Sequence, residues 1–157
     1  MKIAAKVLVG VALVAAAWSG VFLYWHVRIL RAVRDLEKES LPSHRLTESL
    51  TSDAGVTLIQ GGCRSLPHMI RSLDPAKSPD YLCACSYLVC WQTVYPGSLP
   101  AESDSELLST RLDDWCITLK DDAAMRRRKC DLIKAWWREH GAEHHQWWRV
   151  WSSRCGP

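Results

Sequence analysis

The first feature along the chain is a block of nineteen residues, Val7 to Trp25, that carries no charge: VLVGVALVAAAWSGVFLYW. As a helix rising about 1.5 Å per residue it spans about 28 Å, close to the hydrocarbon thickness of a bilayer. Phe22, Tyr24 and Trp25 gather at its C-terminal end, where rings with an apolar body and a polar tip suit the membrane–water boundary. The pattern predicts an uncleaved transmembrane signal anchor at 7–25 behind a short tail at 1–6. One competing reading is a cleavable signal peptide with Ala15-Ala16-Ala17 as its small-residue site. That cut would leave the apolar WSGVFLYW as a new N-terminus. A buried core helix is the third reading. No cysteine lies near the apolar run, which excludes a lipoprotein acylation site there.

Beyond the block the pattern becomes amphipathic. Ile29, Leu30, Val33 and Leu36 recur at helical spacing among charged positions, which predicts a juxtamembrane stalk over 26–42. Leu41-Pro42 ends it, because the residue before proline avoids the α region. The remainder, 43–157, predicts a small, cysteine-rich, mainly helical domain. Its expected elements begin with a short helix from His44 to Ser52 and a brief β-like run from Val56 to Gln60, closed by Gly61-Gly62. Ser65-Leu66-Pro67 opens a short helix to about Leu73. Ser78-Pro79-Asp80 supplies a cap, a proline at N1 and an acid in the first turn of a longer helix through Tyr95, stopped by Pro96-Gly97.

On that longer helix Cys83, Tyr87, Cys90 and Val94 share a face, and Cys85 lies about 200° around from Cys83. Cys83 and Cys90 are too far apart along the axis to pair directly, so each is expected to reach another segment. Ser103 is expected to cap a helix through Leu119, with Leu108, Leu112, Trp115 and Leu119 as its buried stripe. Asp121 is expected to cap the next helix, with Cys130, Ile133 and Trp137 inward and Gly141 as its C′ residue. A last helix or turn is expected over 143–151.

Charge changes this picture in two places. The net charge of +3 is too small to imply a nucleic-acid partner, but its distribution is uneven. Leu99 to Asp122 holds seven acids against two bases, and Arg126 to Pro157 holds eight bases against three acids, so the two stretches are expected to be neighbouring elements. Around the apolar block, Lys2 and Lys6 precede it and Arg28, Arg31, Arg34 and Lys38 follow it. The positive-inside rule therefore leans towards a cytoplasmic domain, a lean that the free α-amino group narrows.

The cysteines push the other way. Cys63, Cys83, Cys85, Cys90, Cys116, Cys130 and Cys155 all fall in the last 95 residues. A small domain gains about 2–4 kcal/mol from each cross-link, and such bonds persist only in an oxidising compartment. All seven are disulfide candidates, three bridges and one free thiol being the simplest count. The domain is accordingly expected on the periplasmic or extracellular side of the inner (plasma) membrane. The group Cys83-Ala-Cys85-x4-Cys90 fits zinc spacing poorly, and C-x-x-C is absent.

Candidate chemistry is sparse. His140-Gly-Ala-Glu143-His144 spells H-x-x-E-H, yet Gly141 sits inside the motif and no acid follows Glu143. No catalytic residue, no metal site and no cofactor is assigned; His140, His144 and His145 are weak candidates for adventitious metal binding. Trp136 and Trp137 are expected in the core. Trp147, Trp148 and Trp151, with Arg149, are expected to form a contact surface for a protein or for lipid headgroups. Arg126 to Lys129 is a solvated basic run, with anionic lipid as its other use. Asparagine is absent, which rules out N-glycosylation. The sequence thus predicts a non-catalytic bitopic protein, an interaction or accessory subunit of a cell-envelope assembly. It would meet the bilayer through 7–25 and an envelope protein through its domain. Two alternatives stand beside this. One is an immunity, exclusion or lysis-control protein blocking a partner at the membrane. The other is a thiol-redox or metal-handling protein.

Overall fold

The computed structural model describes residues 2–39, 50–95 and 106–144, with side chains described at 6–39, 50–95 and 108–142. In chain order the helices are α1 (Lys2–Lys38), α2 (Asp53–Gly61), α3 (Leu66–Ser72), α4 (Pro79–Val94), α5 (Glu106–Trp115) and α6 (Ala123–His144), with a 3-10 turn at Gly62–Arg64. No strand occurs among the described residues.

α1 is one unbroken helix with two characters. From Lys6 to Tyr24 every side chain is exposed, Leu8 at 73%. Its apolar window has a mean hydropathy of 2.1, and none of it is buried against the domain. It is the one described helix long and apolar enough to cross a membrane, and it fits a single-pass or signal-anchor protein. Past Trp25 the helix enters the core: Ile29, Ala32, Val33 and Leu36 are buried, the i, i+3, i+4, i+7 stripe of an amphipathic helix. Leu30, expected on that face, is exposed, because it lies about 100° around from Ile29.

The β-like run expected over Val56 to Gln60 is helical instead. Ser52 caps α2, its Oγ accepting from the Gly55 N–H at 3.0 Å. Ala54, Leu58 and Ile59 then face inward, on the helix that lies along α1. The gain from burying this stripe overrides the local preference of Val56 and Thr57 for extended backbone. Gly61-Gly62 accordingly ends a helix rather than a strand. At Gly61 a Cβ would sit 3.2 Å from Ile29 Cδ1, so its absence lets α1 and α2 approach, and Gly62 turns the chain with φ 53°. The helix expected over His44 to Ser52 falls outside the described residues except at 50–52, where Leu50 is helical and buried.

α4 lies at the centre. Ser78 Oγ accepts from the Tyr81 N–H and Pro79 opens the first turn, as the sequence predicts. Eleven of its sixteen residues are buried, so it has no solvent face and needs neighbours all round. Hydrogen bonds supply the attachments. Gln92 Nε2 donates to the Leu58 carbonyl of α2 at 3.2 Å. The Tyr81 hydroxyl donates to Ser72 Oγ on α3, and Ser72 donates to the Met69 carbonyl at 2.6 Å.

α5 ends at Trp115, short of the expected Leu119. The Ile117 N–H goes to Ser86 Oγ at 2.9 Å instead of continuing the helix, and Leu119 is left 45% exposed. The cap of α6 is Asp122, whose Oδ1 accepts from the Met125 N–H at 2.7 Å. Asp121, expected in that role, accepts from the Thr118 N–H at 2.8 Å and so closes the preceding turn. Gly141 lies within α6, not beyond it. A Cβ there would meet the Trp137 ring at 2.8 Å; the glycine makes room for the indole.

Cys83, Cys85, Cys90, Cys116 and Cys130 are free, buried thiols. With five of seven unpaired, at most one disulfide remains, so the three-bridge framework is not shown. These thiols serve as small apolar side chains within the core. Cys63 is half-buried and is not one of these free thiols; Cys155 lies outside the described residues.

Ile29→Ala tests whether α1 is part of the domain. The side chain is 1% exposed, and removing it should cost about 2–5 kcal/mol of stability. A thermal melt of the detergent-extracted protein should drop by several degrees, with membrane association unchanged. An unaltered melt would separate the domain from its anchor.

Candidate functional site

Three places gather side chains of chemical interest. The first is the seam where α1 leaves its apolar half. The Arg28 guanidinium donates to the Tyr24 hydroxyl at 3.2 Å and lies 5.5 Å from the Trp25 ring centroid. Arg64, brought in by the 3-10 turn, lies 5.8 Å from the same ring. His26 meets His68 of α3 edge to face, ring centroids 4.9 Å apart. An indole between two guanidiniums, at the end of an apolar helix, has the chemistry of a membrane-interface belt.

The second is the junction of α4, α5 and α6. Trp115 and Trp136 pack with centroids 5.0 Å apart, and Arg111 lies 4.1 Å from the first and 4.9 Å from the second. The acidic and basic stretches are thus neighbours here, joined by rings and a cation. A true ion pair follows a few residues on. Lys129 Nζ binds Asp121 Oδ2 at 2.8 Å and the Cys116 carbonyl at 2.7 Å. Burial works against the Asp121 carboxylate, but bonds from Lys129 and from the Thr118 N–H outweigh it and hold its pKa below the usual carboxylate value.

The same junction distributes the thiols of α4. Cys116 Sγ donates to the Ile117 carbonyl at 3.8 Å, with Cys83 nearby. Cys90 Sγ donates to the Arg111 carbonyl at 3.5 Å. Cys85 points the other way, to Ser72 Oγ at 3.8 Å and the Met69 carbonyl at 3.6 Å, and burial pushes it up to about 11. Burial also raises Cys90 and Cys130. The nearness of Cys83 to Cys116 could not be read from spacing, which shows only that Cys83 faces another segment.

The third is the outward face of α6, an open groove of about 760 Å³ lined by Ala123, Ala124, Ala135 and the exposed Leu132, by Arg127, Arg128 and Arg138, and by Asp131. Of the histidines noted in the sequence, His140 stacks on Trp136 and its Nδ1 lies 3.2 Å from the Trp136 carbonyl. Among the described residues no group of three potential ligands forms. The His144 side chain, His145 and the proposed contact residues Trp147, Trp148, Arg149 and Trp151 lie outside the described side chains. Comparison with family models, with curated proteins and with solved structures finds no match.

The Asp121–Lys129 pair predicts an acid-sensitive step. A carboxylate whose folded pKa is depressed contributes stability above its unfolded value, near 3.8, and loses it as pH falls through the lower folded value. Asp121→Asn should lower the melting temperature at pH 7, at a cost of about 1–3 kcal/mol, because both side chains of the pair are largely shielded from solvent. The gap between variant and wild type should close below about pH 4. A gap that persists in acid would show that the carboxylate's charge is not the cause.

Proposed function

We propose that the chain is a non-catalytic, single-pass membrane protein. Its helical domain, held outside the cytoplasm, acts as an interaction or accessory subunit of a cell-envelope assembly. One observation carries the reading. α1 is exposed and apolar through Tyr24, then becomes a wall of the domain from Ile29 to Leu36 without a break. A span continuous with a core helix holds its domain at a fixed height and tilt over the headgroups, as a subunit that presents a surface to a membrane neighbour requires. The seam of Trp25, Arg28 and Arg64 suits that position. The groove on α6, lined by apolar side chains and three arginines beside Asp131, offers a surface of the right kind, and Trp147, Trp148 and Trp151 follow α6 in the sequence.

The cysteine-rich composition favours the extracytoplasmic side; the basic residues after the span, four against two, oppose it. The five free thiols among the described residues are buried, so a reporter is needed. Ala124→Cys places a thiol at an exposed site on α6. In intact cells a membrane-impermeant maleimide should label it, and the protein should stay with the membrane in alkaline carbonate. Labelling seen only after lysis would invert the topology, and release by carbonate would remove the anchor.

The interaction reading is tested by Trp147→Ala, Trp148→Ala and Trp151→Ala. At least one should lose a specific partner in affinity purification from solubilised membranes, at a cost of about 2 kcal/mol or more for a hot-spot indole. The melting temperature should stay nearly unchanged. Early unfolding of all three would make these tryptophans core residues and remove the proposed surface.

A further inference from the structure

The seam around Trp25 is built by contacts that do not depend on one another. Gly61 lies against Ile29, where a Cβ would come within 3.2 Å of Cδ1, so the 3-10 turn follows close beside α1. Further on, His68 meets His26 edge to face at 4.9 Å, and His26 stacks on Phe22 with centroids 6.3 Å apart. Arg64, between Gly61 and His68 in the chain, is thereby set against Trp25, its guanidinium 5.8 Å from the ring centroid. Arg28 reaches the same ring from α1 at 5.5 Å and gives one of its N–H groups to the Tyr24 hydroxyl. Trp25, His26, Arg28, Arg64 and His68 are all half-buried, neither core nor bare surface.

The two segments that build the seam carry charge of one sign. Residues 7–34 and 54–73 hold no Asp or Glu, and they carry Arg28, Arg31, Arg34, Arg64 and Arg71. The first acids of α1 beyond the seam, Asp35 and Glu37, lie about 15–18 Å along the axis from Trp25. There Lys38 and Lys77 pair with them at 3.5 Å and 2.8 Å. With the apolar half of α1 in hydrocarbon, Trp25 and Arg28 fall within one turn of its end, at the depth of the headgroups. Trp18, Phe22 and Trp25 follow one another at helical spacing down the same face, and Trp18 and Phe22 are exposed there.

We propose that Arg28 and Arg64, held on Trp25, bind the phosphate of an anionic membrane phospholipid of the phosphatidylglycerol class. The site rests on the reading of α1 as a span, and it is the same for either side of the membrane. Its chemistry selects the ligand. A guanidinium presents a planar fork that fits two phosphate oxygens, is weakly hydrated and stacks on aromatic faces. An indole can therefore hold it in place while its charge stays available. A zwitterionic headgroup brings a cation of its own, which two guanidiniums repel; an anionic headgroup brings the phosphate alone. The acyl chains of a lipid held there lie along Phe22 and Trp18, a contact that a free phosphate lacks.

The test uses the purified full-length protein. Flotation with phosphatidylcholine vesicles in alkaline carbonate comes first; a protein that stays behind loses both the span and the site. Native mass spectrometry in detergent with equimolar phosphatidylglycerol and phosphatidylcholine then counts the adducts of each lipid. The wild type should favour phosphatidylglycerol by at least about fivefold, since one basic residue at an anionic surface is worth about 1 kcal/mol. Arg28→Gln with Arg64→Gln should bring the ratio near one. Arg127→Gln with Arg128→Gln, which removes the same charge from exposed positions on α6, should leave it unchanged. Inorganic phosphate in excess should not displace the lipid. A wild-type ratio near one in a protein that floats overturns the site and leaves the span standing. An undiminished preference in the folded Arg28/Arg64 variant also overturns it, as does an equal loss in the α6 variant, which would make the preference one of net charge. Displacement by phosphate would assign the site to the free anion and overturn the lipid. If the Arg28/Arg64 variant fails to fold, the wild-type ratio, the α6 variant and the phosphate competition decide.

Discussion

The fold depends on a single helix that carries two kinds of surface. α1 runs from Lys2 to Lys38 without interruption, and every backbone group inside it is satisfied along its own axis, the condition for crossing hydrocarbon. Nothing in the backbone marks where the first surface gives way to the second. The change is written in side chains alone, from a surface apolar all round to a single stripe at Ile29, Ala32, Val33 and Leu36. Because that stripe is a wall of the core, the domain cannot pivot on a linker. Its orientation to the apolar half follows from helix geometry, and Gly61 lets α2 lie close enough to lock it.

α4 carries the second dependency. A helix with no solvent face must bring its polar groups into the core already paired, since an unpaired buried group costs about 1–3 kcal/mol. Gln92 pairs with α2, Tyr81 with α3, and Ser86 with the strip after α5. Each bond attaches a different neighbour, so the polar residues of α4 specify which helix lies on which side. Its apolar residues supply the driving force without that direction. Ser86 does most, because the N–H it takes from Ile117 also ends α5 at Trp115.

What could be read from the sequence was whatever is decided locally. The apolar block, the Ser78-Pro79-Asp80 opening of α4 and the short α3 are set by residues within one turn of each other. The misreadings share the opposite cause. Val56-Thr57 is extended by local preference and helical because Leu58 and Ile59 have α1 to lie against. Asp121 and Asp122 are adjacent carboxylates, and the one that caps α6 is decided by Lys129 drawing the other away. Gly141 resembles a helix stop until Trp137 is laid across it. Cysteine spacing could show that Cys83 and Cys85 face opposite ways, but Cys116 as a neighbour of Cys83 depends on where α5 ends. That end depends in turn on a serine hydroxyl in another helix. The state of the thiols was the least legible feature, since a cysteine count does not say whether the core needs bridges.

The thiols also show how one residue type divides under different surroundings. Cys85 and Cys90 offer their sulfurs to carbonyl oxygens at 3.6 Å and 3.5 Å. Those contacts suit a protonated thiol, and burial raises both, at Cys85 against the Ser72 and Tyr81 hydroxyls. Cys116 Sγ also lies against a carbonyl oxygen, that of Ile117 at 3.8 Å; the neighbouring Cys83 thiol lowers it against burial, with Lys129 adding to the effect. The break after Trp115 turns Cys116 off the helix and brings it to that ammonium, which holds the Cys116 carbonyl at 2.7 Å. The same irregular strip that ends α5 therefore gives this sulfur surroundings that differ from those of the thiols within α4.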